Sequence, residues 1–197
     1  MAIIIEVGAN KGTDTENFLK DSNNQVFAFE PTPELHLELK NKFKNLENYY
    51  PVPLAVDVDN GWTWFNIAGS GDWGCSSIYN FNPNIHQEWQ DRPDFKVTDR
   101  CRVQTTRLDT FMETYNIPGI DYLWIDAQGN DFRVLQSLGD KIHLVKEGKC
   151  EAAHTVNLYS EVDNTEYSIV SWLTDKGFEC MLHRYNGKET DIHFRKL

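Results

Sequence analysis

The sequence predicts a three-layer α/β domain of the doubly wound, Rossmann-like kind, with a mostly parallel sheet that ends in an antiparallel hairpin. Three observations carry this. Short apolar runs alternate with helical patterns along most of the 197 residues, as βαβ units require. The first run, Ile3–Val7, passes straight into a small-residue loop containing Gly8 and Gly12. At the other end, Tyr185-Asn186-Gly187-Lys188 separates the strand-like runs Cys180–Arg184 and Thr190–Phe194, and Asn-Gly in that setting is a strong hairpin signal.

The elements follow in order. Ile3–Val7 is continuously apolar except for Glu6, which suits a buried parallel strand. Thr13-Asp14-Thr15-Glu16 matches a capping box, so a helix is expected from Thr13. Val26–Phe29 is the second strand, ending at Glu30-Pro31. Thr32 and Pro33 then open a helix carrying Leu35, Leu39, Phe43 and Leu46 at helical spacing. Val52–Val56 reads as a third strand. Residues 57–102, rich in Gly, Asn, Asp and aromatics, break the rhythm and offer one strand, Trp62–Ile67. Regular order returns with a strand at Val103–Arg107, a helix from Asp109 to Tyr115 and a very apolar strand at Tyr122–Ile125. A helix with Phe132, Leu135 and Leu138 follows and stops at Gly139. Leu144–Cys150 is the next strand, and Tyr167–Lys176 a helix closed by Gly177.

Bulk properties narrow the function. Nineteen basic against thirty acidic residues give a formal charge of −11, a field that repels phosphate backbones and argues against nucleic acid as partner. The segment bearing Arg92, Lys96, Arg100, Arg102 and Arg107 is interrupted by acids and reads as a solvated face. Cys75, Cys101, Cys150 and Cys180 form no CxxC pair, so neither a zinc site nor a redox motif is expected. No signal peptide and no membrane-length apolar run is visible, and a reduced, cytoplasmic protein is expected. The opening directly on a core strand is equally compatible with a domain of a longer polypeptide.

Two constellations point to a nucleoside ligand. Glu6-Val7-Gly8-Ala9-Asn10-Lys11-Gly12 places two glycines at the carboxyl end of the first strand, before a helix N-terminus. Counting from Gly8, Asn10 and Thr13 occupy the places where a dinucleotide fingerprint needs glycine, and no phosphate-loop GKS or GKT is present. The loop therefore suits a ligand with a carboxylate and a nucleoside better than a pyrophosphate. Glu30, 22 residues beyond Gly8, ends the neighbouring strand where a carboxylate can accept both ribose hydroxyls.

With these motifs stand Phe27-Ala28-Phe29-Glu30-Pro31, Ala55, Ser76-Ser77, Thr106-Arg107-Leu108-Asp109, and Leu123-Trp124-Ile125-Asp126-Ala127-Gln128-Gly129 before Val134-Leu135. In this order the chain resembles the FkbM-type S-adenosylmethionine-dependent methyltransferases over nearly its whole length. The resemblance implies a class I methyltransferase fold, which also ends in an antiparallel hairpin, and O-methylation of small molecules or sugars. It implies a cofactor site built from Glu6, Gly8, Ala9, Asn10, Gly12, Thr13, Glu30, Pro31, Ala55, Ser77 and Asp126. Two positions depart from the family habit: Glu6 where Asp is commoner, and Gln128 where many members have Glu.

Transfer to an alcohol calls for a general base. Asp126 is the first candidate, and His154 with Glu151 behind it the second. Asp126, Glu151 and His154 could alternatively hold a divalent ion, although no metal-ligand spacing predicts one. Four of the six tryptophans, Trp62, Trp64, Trp73 and Trp89, lie in residues 57–102. That insertion is the expected acceptor lid of a single domain spanning 1–197, with Asp72, Trp73, Ser76 and Gln128 nearest a sugar or glycan acceptor. The competing expectations are an NAD-linked sugar-modifying oxidoreductase and a non-catalytic nucleoside-binding module.

Overall fold

The computed structural model describes residues 1–69, 73–185 and 187–197. Seven strands form one sheet in the order β3-β2-β1-β7-β8-β10-β9. β1 (Ala2–Val7) lies at its centre, parallel to β2 (Asn24–Phe29) and to β7 (Ile120–Ile125). β3 (Tyr49–Val52) and β8 (Val145–Ala153) extend the parallel set on either side. β9 (Phe178–Tyr185) and β10 (Glu189–Lys196) form the expected terminal hairpin, and β10 inserts antiparallel between β8 and β9. The Asn186 half of the Asn-Gly turn lies outside the described residues, while Gly187 has a φ of 70°.

Helices cover both faces. α1 (Thr13–Phe18) and α2 (Pro33–Lys42) lie on one, where Ala28, Leu39, Phe43 and Tyr49 are buried together. On the other, α4 (Leu108–Thr114), α5 (Asp131–Gln136) and α6 (Glu166–Asp175) bury Ile5, Val7, Phe29, Leu123 and Ile125 beneath Phe111, Leu135 and Ile169. The alternation along β1 sends Ile5 and Val7 to the second face and Glu6 to the α1 side.

Several sequence expectations need correction. The capping box does not form: Gly12, in the left-handed region at φ 74°, precedes α1, and Thr13 is already helical. α2 ends at Lys42, so Leu46 lies beyond it and is exposed. Val52–Val56 is not one strand: Val52 ends β3, and Pro53-Leu54 lead into β4 (Ala55–Val56), which belongs to another sheet. That second sheet, ordered β4-β6-β5, also corrects the expected irregular segment. β5 (Gly61–Ala68) and β6 (Val97–Thr106) pair antiparallel over most of their lengths, with a short 3-10 turn at Trp73–Cys75 and a one-turn helix, α3 (Ile85–Glu88), between them. Local charge and aromatics masked a long hairpin whose partner strand reads as polar because it is half exposed. α5 stops at Gln136, short of the expected Gly139, which at φ 52° opens a 3-10 turn that runs to Leu144. Among the described residues no helix is long and apolar enough to cross a membrane.

Candidate active site

The carboxyl ends of β1, β2 and β7 meet in a cleft. Backbone hydrogen bonds lock them together: Gly8 and Ala9 N–H both donate to the Phe29 carbonyl, at 3.0 and 2.9 Å, and Asp126 N–H donates to the Val7 carbonyl at 2.9 Å. Glu30 is buried on the cleft wall. Its Oε2 accepts from Asn10 N–H at 2.9 Å and its Oε1 from Thr32 N–H at 2.8 Å. Each oxygen retains a lone pair, so the carboxylate can still accept from two hydroxyls. Burial pushes its pKa up to about 7, against the downward pull of those backbone donors. Asn10 sits at φ 47°, and its Oδ1 is buried without a hydrogen-bond partner. Leu35, Leu54, Ala55, Phe65 and Ile78 make an apolar slot beside this polar end.

The insertion closes the far side with Trp73, Gly74 and Ser76. Ser76 Oγ accepts from Ala68 N–H at 3.0 Å. Ser77 is buried behind it and donates to the Gln128 carbonyl at 2.7 Å, tying the insertion to the loop after β7. Asn130 adds a second tie: its Nδ2 donates to the Val56 carbonyl at 2.9 Å and its Oδ1 accepts from the Tyr79 hydroxyl at 3.0 Å.

Of the residues singled out in the sequence, Gly8, Asn10, Glu30, Pro31, Ala55, Trp73, Ser76, Asp126 and Gln128 line the cleft. Glu6, Ala9, Gly12, Thr13 and Ser77 do not, and shape it from behind. Glu6 Oε2 accepts from Thr15 Oγ1 at 2.6 Å, and burial pushes its pKa up to about 8. Gly12 lets α1 approach α2: a β-carbon there would lie 2.6 Å from Leu39 Cδ2. Asp72 lies outside the described residues.

Asp126 is exposed at the mouth, and its Oδ1 accepts from Gln128 Nε2 at 2.5 Å. Glu151 occupies a side chamber that shares Gln128 as a wall and is bordered by Gly129, Tyr159 and Asn164. Burial, reinforced by the Asp126 charge, raises its carboxyl pKa. His154 requires a correction. Its Nδ1 lies 3.1 Å from Glu166 Oε2, and Glu166 also takes Arg184 Nη2 at 2.5 Å and Thr190 Oγ1 at 2.7 Å. Arg184 pulls Glu166 down to about 2, so His154 joins a surface ion network and lines neither cavity. The Asp126–Glu151–His154 metal alternative lapses with it: among the described residues, no three His, Cys, Asp or Glu stand close enough to hold an ion.

The aromatic insertion divides in two. Phe81 stacks on Phe95 at 5.6 Å and on Tyr159 at 5.4 Å, and Trp89 meets Phe95 edge-on at 5.5 Å, so these form a satellite core. Trp62 and Trp64 are exposed, while Phe65, the next residue, is buried against the cleft. Alternation along β5 would have favoured Trp62 and Trp64 over Phe65, and nothing local marks Leu54, Ile78 or Tyr159.

The profile of the methyltransferase FkbM domain matches residues 6–180. The chain belongs to this family. The matched region is a methyltransferase domain, and the NAD-linked and non-catalytic alternatives gain no support. This FkbM methyltransferase is 29% identical over 138 residues to the 2-O-methyltransferase NoeI of Sinorhizobium fredii, a match covering 68% of the chain and 56% of NoeI. The match thus spans little more than half of that relative. Among solved structures, a chain from Clostridium thermocellum assigned as an rRNA methylase aligns with a TM-score of 0.57 at 10% identity, over 100% of this chain and 87% of that one. A chain from Streptococcus mutans assigned as a methyltransferase, solved with S-adenosylhomocysteine, aligns with a TM-score of 0.54 at 11% identity, over 100% and 89%. These two likenesses establish the fold. The cleft suits the family's cofactor in its chemistry: an orphaned oxygen on Asn10 for a cation, a carboxylate on Glu30 for paired hydroxyls, and an apolar slot for a flat base.

Proposed function

We propose that this FkbM methyltransferase methylates a hydroxyl of a sugar or glycan. The observation that carries the reading is the Asp126 carboxylate, which lines the cleft together with Ser76, Trp73 and Gln128. The relationship to NoeI, a 2-O-methyltransferase by name, supports oxygen as the acceptor atom.

S-adenosylmethionine supplies an electrophilic methyl on a sulfonium centre. In this reading Asn10 Oδ1 accepts from its ammonium, Glu30 accepts from the ribose hydroxyls, and Leu35, Leu54, Ala55, Phe65 and Ile78 enclose the adenine. Glu6, Gly12 and Thr13 hold the loop, and Ser77 fixes the Gln128 backbone. Asp126 takes the proton of the acceptor hydroxyl, and Trp73 offers an aromatic face to the acceptor. The rest of the work is positioning, which is most of what an in-line displacement asks of a protein.

The test is a panel of sugars and glycans incubated with methyl-labelled S-adenosylmethionine, with and without chelator. Label should appear on a carbohydrate oxygen in both arms. Label confined to amines or proteins would overturn the acceptor assignment.

A further inference from the structure

Tyr159 is 4% exposed and stands where three segments meet. Its ring stacks on Phe81 and fills the space beside Gly129, where a β-carbon would lie 2.5 Å from Tyr159 Cδ2. Its hydroxyl stands 2.9 Å from Gln128 Oε1 and 2.9 Å from the Cys75 carbonyl oxygen. Gln128 Nε2 in turn reaches Asp126 Oδ1. Asp126, Gln128, Tyr159 and the Cys75 carbonyl therefore form one continuous hydrogen-bonded chain.

A phenol has one proton to give, and a primary amide has a donor end and an acceptor end. The chain consequently has two complete arrangements. With Asp126 ionised, Gln128 donates to the carboxylate and Tyr159 donates to Gln128 Oε1. With Asp126 protonated, its O–H donates to Gln128 Oε1, the turned amide donates to Tyr159 Oη, and Tyr159 donates to the Cys75 carbonyl. Every donor along the chain finds an acceptor in both states. The proton taken from the acceptor hydroxyl stays on Asp126, so the chain carries no proton onward and only reverses its direction.

We propose that Tyr159 is a positioning residue that lets Asp126 take up a proton without leaving an unpaired buried group behind it. The proposal rests on the reading of Asp126 as proton acceptor. Burial holds the Tyr159 phenol well above its ordinary pKa, so it remains a donor. The other charges around Asp126 are Glu6 of β1, Asp14 of α1, Lys149 and Glu151 of β8, Asp131 of α5 and Asp191 of β10. They are the same in every variant compared.

NMR titration of the Asp126 carboxyl and the Gln128 side-chain amide tests this in the full chain. Neither cofactor nor acceptor is needed, so the outcome is separate from whether O-methylation occurs. In the wild type, the Gln128 amide resonances should shift with the Asp126 midpoint. Tyr159→Phe keeps the stacked ring, yet removes one hydrogen bond from the ionised arrangement and two from the neutral one. The neutral state loses more, so the Asp126 midpoint should fall, by about half to one pH unit. In a Gln128→Ala background the same change should shift nothing. A merely structural tyrosine would lower the melting temperature and leave the midpoint in place. A midpoint that stays or rises, or a shift that persists without Gln128, overturns the proposal. If Tyr159→Phe does not fold, wild-type amide resonances that ignore the Asp126 midpoint overturn it equally.

Discussion

A β-carbon on Gly8 would lie 2.0 Å from the carbonyl oxygen of Asp126. The two loops that face the cleft are therefore in backbone contact, and the φ of 92° at Gly8 adds a second demand for glycine. Gly8→Ala should destabilise the fold by at least about 3 kcal/mol and abolish binding of S-adenosylhomocysteine. Denaturant unfolding and calorimetric titration measure the two effects. Normal binding by the variant would show that the loops do not need this approach.

Cofactor binding and chemistry should separate between Glu30 and Asp126. Glu30→Ala should weaken S-adenosylhomocysteine by about 10- to 100-fold, the worth of charge-assisted hydrogen bonds lost in a buried site. Asp126→Ala should bind it within about threefold of the wild type and lose about 10²–10⁴ in turnover on whichever acceptor the panel identifies. Unchanged turnover would remove Asp126 from the mechanism.

The buried carboxyls set a direction for pH dependence. Glu6 titrates at about 8 in the folded chain against an ordinary 4.5, so the unfolded chain releases this proton first as pH rises. Its stabilising contribution is full below pH 4.5 and is lost as pH climbs through 8. Glu30 and Asp131, both near 7, act in the same direction. Glu6→Gln can still accept from Thr15 and should flatten the fall in melting temperature between pH 5 and 8.5, gaining about 2–4 °C for each kcal/mol recovered. Parallel wild-type and variant melting curves would refute it.

His154→Ala should alter turnover by less than about twofold and cost no more than about 1 kcal/mol, because its partner Glu166 keeps Arg184 and Thr190. A large loss of turnover with normal stability would return His154 to the site.

The three central strands β1, β2 and β7 were legible because each carries its own signature: an apolar run, then Gly8, Glu30 or Asp126 at the carboxyl end. Position along the chain was enough to find those three, since a doubly wound sheet delivers such ends to one edge. Glu6 looked like a site residue by the same logic, but the pleat turns it towards Thr15. What escaped was non-local. β6 carries Thr98, Asp99, Arg100 and Arg102, a polar run that resembles loop until β5 is seen beside it. Likewise Leu54, Ile78 and Tyr159 reach the cleft or its side chamber only because distant segments fold back on it. His154 follows β8 directly, and only the hairpin's Arg184 and Thr190 reveal that its partner Glu166 belongs to another network.

The insertion leaves and rejoins the core side by side, since β4 and the end of β6 run parallel with Ala55 opposite Thr105 and Val56 opposite Thr106. The part of the segment that faces away from the cleft can therefore vary in length without moving the strands that carry Gly8 and Glu30. Phe65, Ser77 and Ile78 are held to the core, and change there would reach the nucleoside slot itself.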